Sequence, residues 1–388
     1  MKLQYKFYIL FLSILIKKLN KSILLIEKKI YSFEEAKKFI NKCSAEIKNE
    51  KKIIFQTKIN IPKISVVIPV FNCEKTIKYS ISSIQNQKLT DFEIILINDF
   101  SKDKSVTIIK NIQMNDSRII IINNNNNKGI LYSRNIGVLL SKGKYIFPLD
   151  NDDMFANEYI FKRVYKEAKR KNYDIIGFEC IYGINYNPNI NEMYEDIFIK
   201  NKENRIVYQP NLKFLSFINN DCHIWGKCIK KEIYQKAINS LGKKRNTIYL
   251  CYAEDDIMIF MINKVSNSFK YTKKYGLFHI KSNITASFYL PRDHIIFSKL
   301  FFLEIIFDFT DENIKDKEYV YLNTVNFRNK FFRKYPLNKK NKKYLKKLLN
   351  KFYNSKYFSK KNKKKLRKHF DFIYNETIYN QIQKELIK

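Results

Sequence analysis

Three stretches decide the fold: ISVVIPVFN (64–72), FEIILINDFSKD (92–103) and NNKGILYSRNIGVLLSKGKYIFPLDNDDMF (126–155). Each contains a short apolar, β-branched run that breaks into polar residues, which is how a buried strand reads when it ends in a loop. Between them the period changes. Residues 74–87 carry Ile77, Ile81 and Ile84 at helical spacing, and Val106, Ile109 and Ile112 predict a second helix with Ser101 as its cap. RIIIIN (118–123) reads as a third strand, Gly129 opens a helix through Leu140, and KYIFPL (144–149) reads as a fourth strand. Strand and helix alternate with short connections. The expected class is therefore α/β, a mostly parallel central sheet flanked by helices. In such sheets ligands bind beyond the carboxyl ends of the strands, where the polar breaks fall.

Working outward, YDIIGFEC (173–180) reads as a further strand, and the pattern weakens across 182–220. Regularity returns at HIWGKCIKKEIYQKAI (223–238), a strand followed by a helix. AEDDIMIFMINKV (253–265) reads as a helix, 278–285 as strand and loop, and the chain after Asp293 as helical, very rich in lysine over 339–368. The expected organisation is an N-terminal basic and apolar segment (1–60), a catalytic domain (61–295) and a lysine-rich helical C-terminal region (296–388).

The 388 residues are 45% hydrophobic and 15% aromatic, which supplies a sizeable core and excludes full-length disorder. Lys and Arg number 73 against 37 Asp and Glu, a formal charge of +36. That balance suits an anionic partner: a phosphorylated substrate, an anionic membrane surface or nucleic acid. Lysine abounds along the whole chain, so charge alone does not select among them. Tyr344, Phe352, Tyr353, Tyr357 and Phe358 interleave with lysines but fit helical core spacing equally well, and nucleic acid is the disfavoured partner. The six cysteines form no C-x-x-C pair, and the spacing of Cys222, His223 and Cys228 matches no zinc pattern, so buried thiols are expected. FYILFLSILI (7–16), flanked by lysines, is too short to span a bilayer as a helix. It reads as a signal or anchor core, as part of a surface-lying helix, or as a packed helix. A membrane-associated or secretory location is favoured over a cytoplasmic one.

The chemistry concentrates at three strand or helix ends. Asp150, Asp152 and Asp153 crowd the end of the fourth strand, and carboxylates so close repel unless solvated or balanced by a cation. Hard divalent ions take such oxygen ligands; a solvated, capped turn is the alternative. Asp99 ends the second strand, where it can accept from a base or ribose or serve a turn. Glu254, Asp255 and Asp256 open a helix, where acids suit the dipole and one could be a general base.

In order and spacing these blocks resemble family 2 glycosyltransferases with the GT-A fold; WGK (225–227) and AEDDIMIF (253–260) resemble its later blocks, so the likeness covers about 64–290. The resemblance implies transfer of a sugar from a nucleotide-diphospho-sugar, most often a UDP-sugar, to a glycan, lipid or protein hydroxyl, with Mn2+ or Mg2+ as cofactor and inversion in a single displacement. It places Pro69, Phe71, Asn72, Asp99, Gly129, Arg134 and Asp150 around the nucleotide sugar, and Asp150, Asp152 and Asp153 on the metal, with His279 as a further candidate ligand. Asp255 becomes the base, preceded by Glu254, and Trp225 part of the acceptor wall. Where the family usually has Gly-Ser after the acidic residue, this chain has Phe100-Ser101, which bears on nucleotide preference. A nucleotidyltransferase, a basic nucleic-acid-binding protein and a non-catalytic relative are the competing classes; the first lacks its expected Gly-rich loop in FNCEKT (71–76).

Overall fold

In the computed structural model the chain divides into two compact units, Met1–Asn60 and Ile61–Lys388. The structure describes residues 61–185, 206–208, 223–250, 252–281, 292–309, 337–355, 359–364 and 367–368, all in the second unit. The expectations for 1–60, for Cys222 and for most of the loop region 182–222 lie outside them.

The described strands form one sheet. Strands β1 (Ile64–Val70), β2 (Phe92–Asn98), β3 (Ile119–Asn123) and β4 (Tyr145–Pro148) are all mutually parallel, in the order β3-β2-β1-β4. Every residue of β1 and β2 is buried. A parallel strand is covered on both faces, and so reads as a continuous apolar run. Alternation sorts it into two layers. Ile64, Val66, Ile68 and Val70 join one apolar cluster with helix α1 (Ile77–Gln85); Val67, Ile95 and Ile97 join the other with helix α3 (Ile130–Leu140).

Two polar side chains survive inside this sheet because they are satisfied. Ser65 Oγ donates to Glu93 Oε1 over 2.6 Å, and the same carboxylate oxygen accepts from the backbone of Lys142 (2.5 Å) and Gly143 (3.2 Å). An unpaired carboxylate there would be costly; this one pins the turn that delivers the chain into β4.

Beyond β4 the sheet becomes mixed. Strand β8 (Lys227–Lys230) pairs antiparallel with both β4 and β6 (Ile175–Asn185); β9 (Phe269–Lys281) runs parallel to β6, and β5 (Met154–Phe155) antiparallel to β9. A three-residue strand, β7 (Ile206–Tyr208), pairs with β6. The parallel half is thus the parallel sheet expected from the sequence. Helices α2 (Ser105–Gln113), α4 (Ile160–Lys171), α5 (Lys231–Leu241), the short α6 (Lys243–Asn246), α7 (Glu254–Val265), α8 (Arg292–Phe309) and α9 (Lys339–Tyr353) complete the described elements.

One local expectation is corrected. Ser101 does not cap α2, which starts at Ser105 because Asp103 Oδ1 accepts from both the Ser105 amide and its hydroxyl. Strand β1 runs one residue past Pro69, which sits in register with Ile97. At the C-terminal side α8 packs on α7 and α9 on α8, and Leu300, Leu345, Leu348, Leu349 and Phe352 share one buried cluster with Ile257 and Met258 of α7. No described helix is long and apolar enough to cross a membrane.

Candidate active site

The site is built around Arg134, on the second turn of α3. Its side chain is 1% exposed. Nη2 donates to Asp150 Oδ1 over 2.7 Å, and Nη1 to Asp255 Oδ1 over 2.8 Å and to Glu254 Oε1 over 3.4 Å. A guanidinium offers donors in a rigid fork and stays charged when buried. Burial works against its charge, yet Asp255, Asp150 and Glu254 hold its pKa above the ordinary value. The end of β4 and the start of α7 thus meet on one cation. Three carboxylates share one guanidinium, and burial pushes Glu254 and Asp255 upward against its pull.

Asp255 is fixed on its other side too: Oδ2 accepts from the Ile224 amide over 3.2 Å. It opens α7 after Ala253, whose backbone is left-handed at φ 59. Its neighbour Asp256 turns away and accepts from Lys299 Nζ of α8 over 2.6 Å.

The loop after β4 holds the remaining acids. Asn151 fastens it to β1, its Nδ2 donating to the Pro69 carbonyl over 3.0 Å, while its own carbonyl accepts from Ser80 Oγ of α1 over 2.9 Å. Asp153 is fully buried and pairs with His279 Nδ1 of β9 at 3.0 Å. Burial opposes a charged imidazole, but Asp153 beside it holds His279 up at about 9. Burial, with Asp153 and Asp150 as like charges, pushes Asp152 up to about 8. Among the described residues no three His, Cys, Asp or Glu side chains are grouped as a ready-made metal cage. The acids nonetheless fit a divalent ion of the kind that takes one or two carboxylates and draws its other ligands from substrate phosphates. Burial first, and then the like charges of Asp153 and Asp150, raise Asp152 to about 8, and a cation would offset the second of these causes.

Of the two roles open to it, Asp99 takes that of serving a turn. It is 4% exposed; Oδ1 accepts from the Lys128 amide (2.7 Å) and from Asn124 Nδ2 (2.8 Å), and Oδ2 from the Gly129 amide (2.8 Å). It therefore shapes the loop that opens α3. Gly129 has φ +88, and a Cβ there would lie 2.7 Å from the Leu250 carbonyl oxygen, so only glycine suits this junction. Phe71 and Phe100, at the carboxyl ends of β1 and β2, are 38% and 39% exposed, and Asn72 follows in the same turn.

Trp225 requires a correction. An acceptor wall needs an open aromatic face, but this ring is 2% exposed and stacked on both sides. His223 lies 4.3 Å away at 16°, and His279 4.7 Å away at 14°. Three rings form one pile whose far member is tied to Asp153. The sequence reading did not assign His223 or Asn151 a site role. A His two residues before the single tryptophan was the only signal for the first.

Known proteins resemble this chain in sequence and in fold. Residues 65–236 match the family model "Glycosyl transferase family 2". An uncharacterised glycosyltransferase of Methanocaldococcus jannaschii is 29% identical over 265 residues, 63% of this chain and 87% of that protein. The GalNAc(5)-diNAcBac-PP-undecaprenol beta-1,3-glucosyltransferase of Campylobacter jejuni is 38% identical over 94 residues, 24% of this chain and 30% of that one. Several other bacterial glycosyltransferases are matched over no more than 42% of their own length. In fold, the crystal structure of S. aureus TarS 1-349 in complex with UDP-GlcNAc superposes with a TM-score of 0.59 at 17% identity, over 83% of this chain and 90% of that one. The fold is that of GT-A glycosyltransferases, and residues 65–236 resemble glycosyltransferase family 2.

Proposed function

We propose that the protein transfers a sugar from a nucleoside-diphosphate sugar, a UDP-sugar foremost, to a hydroxyl of a glycan or lipid-linked glycan acceptor, with inversion at the anomeric carbon. The observation that carries this reading is the convergence of Asp150 and Asp255 on Arg134. It joins a donor-side carboxylate at a parallel-strand end to an acid at a helix start. TarS, whose fold this chain shares, is seen with UDP-GlcNAc, and the Campylobacter relative bears the name of a glucosyltransferase acting on a polyprenyl-diphosphate glycan; both support the donor and acceptor classes.

Asp150 and Asp152 would hold Mn2+ or Mg2+ together with the diphosphate, and Asp153 and His279 would brace them. Such an ion, when bound, supplies charge stabilisation to the leaving diphosphate. Asp255 takes the proton of the attacking hydroxyl; burial raises its basicity, and the Ile224 amide and Arg134 fix its two oxygens. Glu254 and Arg134 set its orientation and charge. An anionic membrane surface, where a lipid-linked acceptor would lie, suits the exposed lysines of α9. The turn after β1, Phe71–Thr76, holds no glycine, which disfavours a nucleotidyltransferase.

A donor screen tests the proposal: purified full chain, Mn2+ and a panel of UDP-, GDP- and dTDP-sugars, with released nucleoside diphosphate as readout. Release from one donor class, lost with chelator, is the expected result. No release from any of them, with and without candidate acceptors, refutes it.

A further inference from the structure

Phe100 sits in a conformation that its side chain disfavours. Its φ is +69, in the left-handed region, where a non-glycine residue is strained and a bulky one is a genuine outlier. Asn72, in the neighbouring turn, has φ +46. Such strain persists only where the surroundings over-determine it, and it gathers at functional sites. Here the surroundings do so. The turn after β1 and the turn after β2 are cross-braced by five hydrogen bonds between side chains and backbone. The Asn72 amide donates to Ser101 Oγ (3.1 Å), the Lys102 amide to Asn72 Oδ1 (2.8 Å), and the Cys73 amide to Ser105 Oγ (2.8 Å). The Glu74 amide donates to Asp103 Oδ2 (2.9 Å), and the Lys104 amide to Glu74 Oε2 (2.9 Å).

This frame holds two aromatic rings out at adjacent parallel-strand ends, since Val70 and Asn98 are in register and Phe71 and Phe100 follow them. Phe100 is 39% exposed. The exposed Lys102 places its ammonium 3.5 Å from the centre of that ring, so that face lies toward solvent, and a base would displace the lysine or take the other face. Asp99, the polar group best placed to read a base, is already committed to three donors of the 124–129 loop.

Resting on the donor reading above, we propose that Phe100 is a stacking platform for the nucleobase of the donor and replaces hydrogen-bond readout by Asp99. The strained backbone keeps the ring at the strand ends instead of folding it back onto the sheet. Stacking on an aromatic ring tolerates different bases, because every base has a π-face. The platform would therefore set affinity for the nucleoside and leave discrimination among bases to other groups of the site.

Calorimetry on the full chain with Mn2+ tests this, using UDP, GDP and dTDP as nucleotide probes and inorganic pyrophosphate as a probe without a base. Phe100→Gly removes the ring and keeps the backbone, because glycine takes φ +69 without strain; its melting temperature should equal or exceed that of the parent. Nucleoside diphosphate binding should weaken about tenfold, the scale of one lost stacking contact, with pyrophosphate binding unchanged. Phe100→Trp should retain nucleotide binding. Equal losses for nucleotide and pyrophosphate, or no loss for either, would overturn the platform. A parent protein that binds pyrophosphate but no nucleoside diphosphate would overturn the donor reading, and the platform with it.

Discussion

Arg134 Nη1 lies 2.8 Å from Asp255 Oδ1, inside a site where the arginine side chain is 1% exposed. This pair joins the helix that lines the parallel half of the sheet to the helix that carries the proposed base. Asp150 completes the bridge from the opposite side. Removing one partner of a buried ion network leaves uncompensated charge. Arg134→Met should therefore destabilise the protein by about 3–5 kcal/mol and abolish transfer. Arg134→Lys keeps the charge but not the fork, and should fall between. Urea unfolding of the two variants measures this; a midpoint for Arg134→Met equal to that of the parent would show the network is not formed in solution.

Asp255→Asn separates two activities. It keeps the size of the side chain and its bond from the Ile224 amide but removes the proton acceptor. Donor binding should remain near normal while transfer falls about a hundredfold or more, the scale of a lost general base. Asp256→Asn is the control, because Asp256 is engaged by Lys299 on the far side of α7; it should cost stability and leave transfer intact. Transfer lost in Glu254→Gln but kept in Asp255→Asn would move the role to the neighbour.

The acid cluster should show in the pH dependence of the metal-free protein. Asp152 is raised from 3.8 to about 8 by burial and by Asp153 and Asp150. A raised acid binds its proton more tightly when folded, so its contribution is fully present below pH 4 and is lost as pH climbs through about 8. His279, raised to about 9 against the opposition of burial, adds a loss between its ordinary 6.5 and that value. Asp116, lowered to about 2 by its hydrogen bond with Arg118, acts only below this window. Unfolding free energy should thus decline from pH 5 to pH 8, and Asp152→Asn should flatten the decline. Mn2+ should stabilise more at pH 8 than at pH 5, when the carboxylates bind it without displacing a proton. A flat profile in the parent would contradict the crowding of these acids.

The parallel half of the sheet was legible because β1, β2 and β4 are buried on both faces and leave unbroken apolar runs that end at polar turns. The acids at those ends stood out for a related reason: clustered carboxylates are costly, and therefore conspicuous. What sequence could not give was which partner each acid takes. Asp99 and Asp150 look alike as strand-end aspartates, yet one is consumed by amides of residues 128 and 129 and the other meets a guanidinium 16 residues away. Those outcomes depend on loop paths. The mixed half of the sheet was less legible, since the two-residue β5 and the antiparallel β8 carry too few residues to show a period. Trp225 misled because an isolated tryptophan beside a site suggests a sugar platform, and only the position of His279, 54 residues on in another strand, shows both faces taken.

That stack yields the last prediction. Trp225 is held between His223 and His279, and His279 is held by Asp153. The backbone of the same segment reaches the proposed base, through the Ile224 amide on Asp255. Gly226 follows with φ +69, where a Cβ would lie 2.4 Å from Cys180 Sγ, so the segment has little room to shift. The tryptophan thus acts as packing between the segment that holds Asp153 and the one that holds Asp255. Truncation by Trp225→Ala should cost about 3–5 kcal/mol, as for other large core rings, and reduce transfer through misplacement of both. Trp225→Phe keeps an aromatic plane between the imidazoles. It should lower the melting temperature less, reduce kcat, and leave KM for the acceptor unchanged, because the ring does not touch the sugar. Acceptor titrations with both variants decide between the roles: a raised acceptor KM in Trp225→Phe at an unchanged melting temperature would mean that the stack opens and the indole meets the acceptor.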